Sequence, residues 1–305
     1  MRTLFISLLI LSAGLSPRLL ANPGHEAAAE LFRQHAYREA EAAFRAIVQA
    51  EPGNAAACHS LARAILARLP VEKPGKTETE TRTAEAAQWL ERAFALEPRN
   101  AAYMRDCGRS RVTGLSTLKK GRKLVEDSLA LNANDPETHA LLAAMYSVPW
   151  MVGGDADKAA KHRQALQRLD PVRFAISEVN RLLWTEKDYP AAFAFCETLL
   201  KKHPADGLGH YLYGYVAAEA KDHLLRGLES CRKALELPLP PPTGNSPYSD
   251  TFSATPSYVW ENIGKIERAR GQIEAAREAF ATAVKLDAAN HWAATALAGL
   301  PPASK

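Results

Sequence analysis

The sequence predicts an all-α protein in which antiparallel helix pairs stack into a superhelical solenoid. Alanine-rich segments of helical character dominate the 305 residues, and no convincing run of alternating β-branched residues indicates a strand. One spacing of small and large apolar residues recurs along the chain. Proline and asparagine or aspartate recur at the junctions between the predicted helices.

The recurring spacing marks the second helix of each predicted pair. A large apolar residue follows a small one by four positions, and a second small or apolar residue comes three positions later. Small residues allow two helices to approach closely, and the large residue fills the gap at the next turn. Ala276, Phe280 and Ala283 form the clearest copy. Six further copies, some of them degenerate, lie at 40–52, 86–98, 121–133, 159–171, 192–204 and 227–239.

Polar residues at the junctions predict where the next helix begins. Asn54 and Asn100 follow the segments Glu-Pro-Gly and Glu-Pro-Arg, and Asp135 directly precedes Pro136. Proline ends a helix or occupies its first position, while Asn and Asp cap the free N–H groups of a first turn. We therefore expect a helix to start just after each of these residues.

The best-preserved copy resembles the tetratricopeptide repeat (TPR), whose pattern is W-x2-L-G-x2-Y…A-x3-F…P. The residues in the repeated segment are Trp260, Ile263, Gly264, Ala276, Phe280 and Ala283, with Glu267 standing where the pattern has Tyr. The resemblance, which extends to the exported bacterial type, implies a right-handed TPR-like superhelical solenoid of antiparallel helix pairs. Such a solenoid offers a concave binding surface rather than a catalytic pocket.

The spacing divides the chain into seven predicted repeats. They cover 22–53, 54–99, 100–134, 135–171, 172–204, 205–239 and 257–290. Longer spacings predict loops at 70–83 and 238–256, and residues 291–300 are predicted to form a capping helix before the tail 301–305. We expect Trp292 to lie over the apolar face at the end of the solenoid. A continuous solenoid and a molecule of two lobes hinged at 238–256 are both compatible with the sequence.

Residues 1–21 have the features of a secretory signal peptide. A positive charge at Arg2 precedes an apolar run from Leu4 to Leu15, and Ala21 offers a small residue for cleavage. The run is shorter than the roughly 20 residues of a membrane span. We therefore expect export, to the periplasm of a Gram-negative bacterium, without stable membrane insertion after cleavage. Secretion and tethering by an uncleaved signal are the alternatives.

Charge and motif content exclude several function classes. Without residues 1–21, which hold two Arg and no acids, the formal charge falls from +4 to +2. The sequence contains no block of Lys and Arg residues of the kind that would predict nucleic-acid binding. The motifs HExxH, GxSxG, GxxxxGK[ST] and GxGxxG are all missing. We therefore predict no enzyme activity, no cofactor and no metal site.

The four cysteines match no zinc-site or CxxC spacing. Cys196 and Cys231 fall at equivalent places on the second helices of neighbouring repeats. Because an exported chain can form disulfides, a bridge between these two residues and a set of buried free thiols both remain open.

The first helices of a TPR-like solenoid line its concave face, so their phase selects candidate groove residues. The candidates are Arg63, Arg105, Arg109, Arg181, Trp184, Tyr211, Tyr215, Lys265 and Arg268. Arg presents a fork that suits carboxylates, and Tyr and Trp add contact area. The hypothesis is a groove for an acidic or C-terminal peptide segment of an envelope protein. The alternative is a solvated face whose Arg residues pair with neighbouring acids.

A second functional hypothesis comes from the segment Tyr146–Asp155. It resembles a loop of exported bacterial TPR proteins, including accessory subunits of substrate-binding-protein-dependent (TRAP) transporters. That resemblance implies an oligomeric accessory subunit for a solute transporter or an envelope-assembly complex. A merely elongated turn explains the segment as well, and the sequence leaves the oligomeric state open.

Overall fold

The computed structural model describes residues 23–240 and 254–302. Within these residues the regular structure is entirely helical, which confirms the predicted all-α fold class. The predicted signal peptide 1–21 lies outside the described residues, as do most of the predicted loop 238–256 and the end of the tail.

Fifteen α-helices follow one another along the described residues. The first helices of the pairs are α1 (Pro23–Arg33), α3 (Ala55–Glu72), α5 (Ala101–Ser110), α7 (Pro136–Tyr146), α9 (Pro171–Asn180), α11 (Gly207–Ala220) and α13 (Pro256–Ala269). The second helices are α2 (Tyr37–Ala50), α4 (Lys76–Leu96), α6 (Leu115–Leu131), α8 (Ala156–Leu169), α10 (Tyr189–Lys202), α12 (Leu224–Glu236) and α14 (Ile273–Leu286). The last helix is α15 (His291–Ala298), and a π-helical segment, Arg181–Glu186, extends α9.

The two helices of each pair pack against each other, and each second helix packs against the helix that follows it along the chain. The large residues of the predicted spacing fill the layer between the two helices of a pair, where Phe44, Leu90, Val125 and Phe280 are almost fully buried. Their burial supplies the apolar free energy that holds each pair together. None of the described helices combines the length and the apolarity needed to cross a membrane.

The polar junction residues cap the helices that follow them. The Asn54 side chain accepts the backbone N–H of Ala57 at 2.9 Å, and Asn100 caps α5 in the same way. Asp135 accepts the N–H of Glu137 at 3.2 Å at the start of α7. These bonds satisfy donors that a helix start would otherwise leave free, so the junction pattern located the helix starts.

The structure corrects the predicted polar loop at 70–83. Pro70 lies inside α3, which continues to Glu72, and α4 begins after only a short break. The Pro-, Lys-, Thr- and Glu-rich composition suggested a loop, but its charges are spaced for a helix. Glu78 and Arg82 form an ion pair of 2.5 Å at positions i and i+4, and such pairs stabilise a helix.

Glu72 connects α2, α3 and α4 through hydrogen bonds of its carboxylate. Its carboxylate accepts hydrogen bonds from Arg38 on α2, Arg68 on α3 and Arg82 on α4. Burial alone would raise the pKa of Glu72, but the three guanidinium groups outweigh it and lower the pKa to about 2.

We expect this carboxylate to make the fold acid-sensitive in a defined window. A lowered pKa contributes stability that is present above the ordinary pKa of 4.5 and is lost as the pH falls through about 2. The free energy of unfolding should therefore drop over that range in the parent protein, and drop less in Glu72→Gln. Urea unfolding at several pH values checks this, with Glu80→Gln, an exposed residue of α4, as the control. Equal pH slopes for parent and Glu72→Gln would contradict it.

The segment between α7 and α8 is an elongated turn with a fixed backbone. Gly153 has a φ of +94°, which favours glycine. A Cβ on Gly154 would stand 1.6 Å from the carbonyl oxygen of Val148. Asp155 caps α8 by accepting the N–H of Lys158 at 3.0 Å. The two glycines are therefore required by the geometry of the turn.

The solenoid is continuous between the sixth and seventh pairs. On α13, Lys265 reaches Glu219 of α11 with an N–O distance of 2.8 Å. A Cβ on Gly227 of α12 would lie 3.1 Å from the side chain of Ile266. One apolar cluster runs from Ala175 to Ala279 across this boundary. The contacts favour the continuous solenoid over two hinged lobes.

The two ends of the described chain meet. His35, after α1, lies 3.8 Å from the Asp287 carboxylate, after α14. The Lys73 ammonium stands 4.7 Å from the ring centroid of Trp292 on α15. Trp292 does not cover the end face as expected, because it is 38% exposed and lies outside the apolar cluster of the last pair. Ala293, Ala296 and Leu297 of α15 pack against that cluster instead.

All four cysteines are buried free thiols, so the structure contains no Cys196–Cys231 bridge. Burial raises the pKa of the thiols of Cys107, Cys196 and Cys231 to about 12. They therefore pack as small apolar side chains.

Candidate functional site

A cleft of about 820 Å³ opens between α11, α13 and the π-helical segment. We call it the aromatic cleft. Its lining residues are Trp184, Tyr211, Tyr215, Ala218, Glu219, Lys221, Tyr258, Glu261, Asn262, Lys265, Arg268, Ala269 and Trp292. All of them lie on first helices, on their continuations or on α15, as the resemblance implied for the concave face.

Stacked tyrosines form one wall of the aromatic cleft. The rings of Tyr211 and Tyr215 lie 6.5 Å apart with an interplanar angle of 6°. The Tyr215 hydroxyl accepts the indole N–H of Trp184 at 2.9 Å and donates to the Asn180 side chain at 3.2 Å. Burial raises the pKa of both tyrosines well above the ordinary value, so their hydroxyls stay neutral. The wall is therefore aromatic and uncharged, and the hydrogen bond to Tyr215 holds the half-exposed Trp184 at its edge.

Charged side chains form the floor. The Lys265 ammonium lies 2.8 Å from a Glu219 oxygen and 2.7 Å from Glu261 Oε1. Burial alone would lower the pKa of Lys265, but the carboxylates of Glu261 and Glu219 outweigh it and raise the pKa. The lysine is therefore charged at neutral pH.

Two buried polar atoms of the floor have no hydrogen-bond partner among the described residues. They are Glu261 Oε2 and Asn262 Nδ2, on residues that are 3% and 2% exposed. Almost all buried polar atoms in proteins are paired, and each exception needs an explanation. Both residues line the aromatic cleft, where a ligand could supply the missing partners.

A second cleft, of about 710 Å³, is lined by residues of α5, α7, α8, α9 and the π-helical segment. Trp184 lines both clefts. Arg109 and Arg181 line only the second. The Arg181 guanidinium is held by Glu178 at 2.5 Å and by Glu186. The two clefts therefore adjoin at Trp184.

No family model and no curated protein matches the sequence, but solved structures of TPR proteins are similar in fold. Yeast Tom70 gives a TM-score of 0.57 at 13% identity, with 87% of this chain and 51% of that chain covered. The protein therefore has a TPR-like fold. A tetratricopeptide repeat protein from Parabacteroides merdae gives a TM-score of 0.48 at 14% identity, covering 90% of this chain and 96% of that chain. MamA gives 0.36 at 14% identity, with 68% and 92% covered.

In a repeat solenoid the stacked helices form an extended surface of the kind that such proteins use for binding. Five of the predicted groove residues come together in the aromatic cleft of this solenoid. They are Trp184, Tyr211, Tyr215, Lys265 and Arg268. The helical phase of the first helices therefore selected residues that share one site.

Two other predicted groove residues lie elsewhere. Arg105 is 6% exposed, and its guanidinium pairs with Asp106 and Asp135, each at 2.7 Å. This corrects its assignment to the groove and agrees with the alternative in which Arg residues pair with neighbouring acids. Arg63 stands 5.2 Å from the ring centroid of Phe32 beside a small pocket of about 50 Å³, away from both larger clefts.

The groove residues predicted from the sequence did not include several residues of the aromatic cleft. Glu219 follows Tyr215 by four positions on α11, so helical spacing places both on one face. Tyr258 and Asn262 stand in the same relation on α13. Extending the predicted stripe by one turn on α11 and by two turns on α13 would have found them. Within the described residues, no group of three or more His, Cys, Asp or Glu side chains is arranged to hold a metal.

Proposed function

We propose that the protein is an exported TPR scaffold that binds a peptide segment of an envelope protein in the aromatic cleft. The observation that carries this proposal is the convergence of five predicted residues on one cleft of about 820 Å³. Binding is at equilibrium on a preformed surface, without turnover. The proposed export to the periplasm rests on the sequence of residues 1–21.

The cleft suits an extended segment rather than a compact ligand. It adjoins the second cleft at Trp184, so a chain could pass from one to the other. Buried tyrosines supply contact area that is already ordered before binding, which lowers the entropy cost of association. The exposed side chains of Lys221 and Arg268 are placed to attract acidic residues of the segment.

We expect a double substitution, Trp184→Ala with Arg268→Glu, to weaken partner binding at least about tenfold, because it removes an aromatic anchor and reverses a charge. Both side chains are exposed, so the fold should tolerate the change. The measurement is affinity capture from an envelope extract, followed by titration of the captured protein.

The matched control is Trp150→Ala with Arg168→Glu, which makes the same changes at exposed positions outside both clefts. It should retain the partners of the parent. If the cleft variant also retains every partner, the proposal that a peptide binds in the aromatic cleft is wrong. Cell fractionation addresses export, and recovery of the protein in the cytosol alone would contradict that part.

A further inference from the structure

The floor of the aromatic cleft carries an excess of negative charge. Glu219 and Glu261 contribute two carboxylates, and Lys265, which contacts both, contributes one ammonium. One formal negative charge is therefore left uncompensated on the floor. The exposed cations Lys221 and Arg268 lie on the cleft lining, where solvent screens their charges.

Glu261 shows where that excess is located. Lys265 contacts its Oε1 at 2.7 Å, whereas Oε2 has no hydrogen-bond partner among the described residues. The residue is only 3% exposed. A buried carboxylate oxygen without a donor is costly. The chemistry that would relieve this cost is an N–H group, and a charged one most of all.

The walls above Glu261 favour a cation. Tyr211, Tyr215 and Tyr258 line the same cleft, and aromatic faces attract ammonium and guanidinium groups within about 6 Å. The hydroxyls of Tyr211 and Tyr215 are neutral at physiological pH, because burial raises their pKa. The walls therefore add no charge that would compete with the carboxylate.

We propose that the floor of the aromatic cleft binds a basic side chain, lysine or arginine, of the partner segment, with its N–H groups donating to Glu261 Oε2. This inference rests on the proposed function. The unpaired Nδ2 of Asn262 donates to a carbonyl oxygen of the same segment. The exposed Lys221 and Arg268 contact acids that flank the basic residue. The segment thus presents one base between acidic neighbours, which refines the purely acidic segment expected from the sequence.

The test selects peptides from a displayed random library on the full mature chain. Selected peptides are synthesised in pairs, with each lysine or arginine kept or replaced by norleucine. We expect the replacement to weaken binding to the parent about tenfold or more, because a charge-assisted hydrogen bond is lost. The indole resonances of Trp184 and Trp292, measured by NMR, report whether a peptide occupies the cleft.

Three variants distinguish an effect of the floor carboxylates from a general effect of the protein's net charge. In Glu261→Gln the norleucine penalty should shrink severalfold, because the carboxylate that receives the base is gone. Glu219→Gln should act in the same direction and serves if Glu261→Gln unfolds. Glu229→Gln removes a carboxylate from an exposed site on α12, and the full penalty should remain there. Melting curves by circular dichroism check that each variant is folded.

The outcomes distinguish this inference from the proposed function. If peptides bind the cleft but tolerate norleucine, or if Glu261→Gln and Glu229→Gln behave alike, the basic anchor is wrong and the peptide scaffold stands. If no selected peptide shifts the indole resonances of Trp184 and Trp292, both proposals fail. Selection of peptides with a base between acidic residues, sensitive to Glu261→Gln, supports both.

Discussion

Arg105→Ala should lower the free energy of unfolding by about 3–5 kcal/mol, because it removes the cation of a buried ion-pair cluster and leaves the carboxylates of that cluster uncompensated. The Arg105 guanidinium donates to Asp106 and Asp135 at 2.7 Å. Asp106 is 8% exposed. Burial alone would raise the pKa of Asp106, but His59 and Arg105 outweigh it and hold the pKa well below the ordinary value. Without the arginine, the His59 contact is the one side-chain contact that this carboxylate retains among the described residues.

Urea unfolding followed by circular dichroism measures the loss. The matched control is Arg99→Ala, an exposed arginine just before α5, which should change stability by no more than about 0.5 kcal/mol. Ligand binding in the aromatic cleft should be preserved in whatever fraction of Arg105→Ala remains folded. A destabilisation below about 1 kcal/mol would mean that the buried cluster does not need its arginine.

The sequence of α5 predicts which face of the helix carries Arg105, but not which residues Arg105 contacts. The helical phase of α5 placed this side chain on the stripe that faces the groove. The residues that bind it are Asp106, its neighbour in sequence, and Asp135 and Glu137, which begin the next pair. The sequence predicted that Asp135 caps α7, and it does. Its second role depends on how two pairs stack, which no local pattern encodes.

The repeats were predictable because each depends on short-range rules. The small–large–small spacing follows helix geometry, and the caps at Asn54, Asn100 and Asp135 follow backbone donors at a helix start. The segment 70–83 departs from the prediction because its composition is typical of a loop, whereas its charges are spaced for a helix. Within this segment, Glu72 contacts three arginines, one on each of α2, α3 and α4. These arginines come together only in the assembled fold, so their contacts with Glu72 cannot be predicted from the segment itself.

The candidate site was predictable to the extent that it lies on first helices. Tyr211, Tyr215 and Lys265 share the aromatic cleft because helical phase is regular along α11 and α13. Arg63 is separated from that cleft because α3 belongs to the second pair, whereas the cleft is lined by α11, α13 and the π-helical segment. The unpaired atoms of Glu261 and Asn262 depend on side-chain partners. The spacing of residues along the chain predicts neither property.

Phe280→Ala should also cost about 3–5 kcal/mol, because it opens a cavity in the last pair. The ring is fully buried and packs among Ala276, Ala283 and Ala293. A Cβ added to Gly264 would stand 2.6 Å from it, so the ring fills the space that this glycine leaves between α13 and α14. The same packing explains why Gly264 and Phe280 occur together in the clearest repeat.

The damage should be concentrated at the C-terminal end, because a solenoid pair is held by its own packing and by its neighbours alone. Amide hydrogen exchange should accelerate in α13, α14 and α15 far more than in α3 and α4. Since α13 carries Glu261, Asn262 and Lys265, peptide binding in the aromatic cleft should fall in parallel. Leu286→Ala, at a position 53% exposed on the same α14, should leave exchange and binding close to those of the parent. Uniform acceleration across all pairs in Phe280→Ala would contradict this expectation, because it would show that the last pair does not unfold separately from the rest.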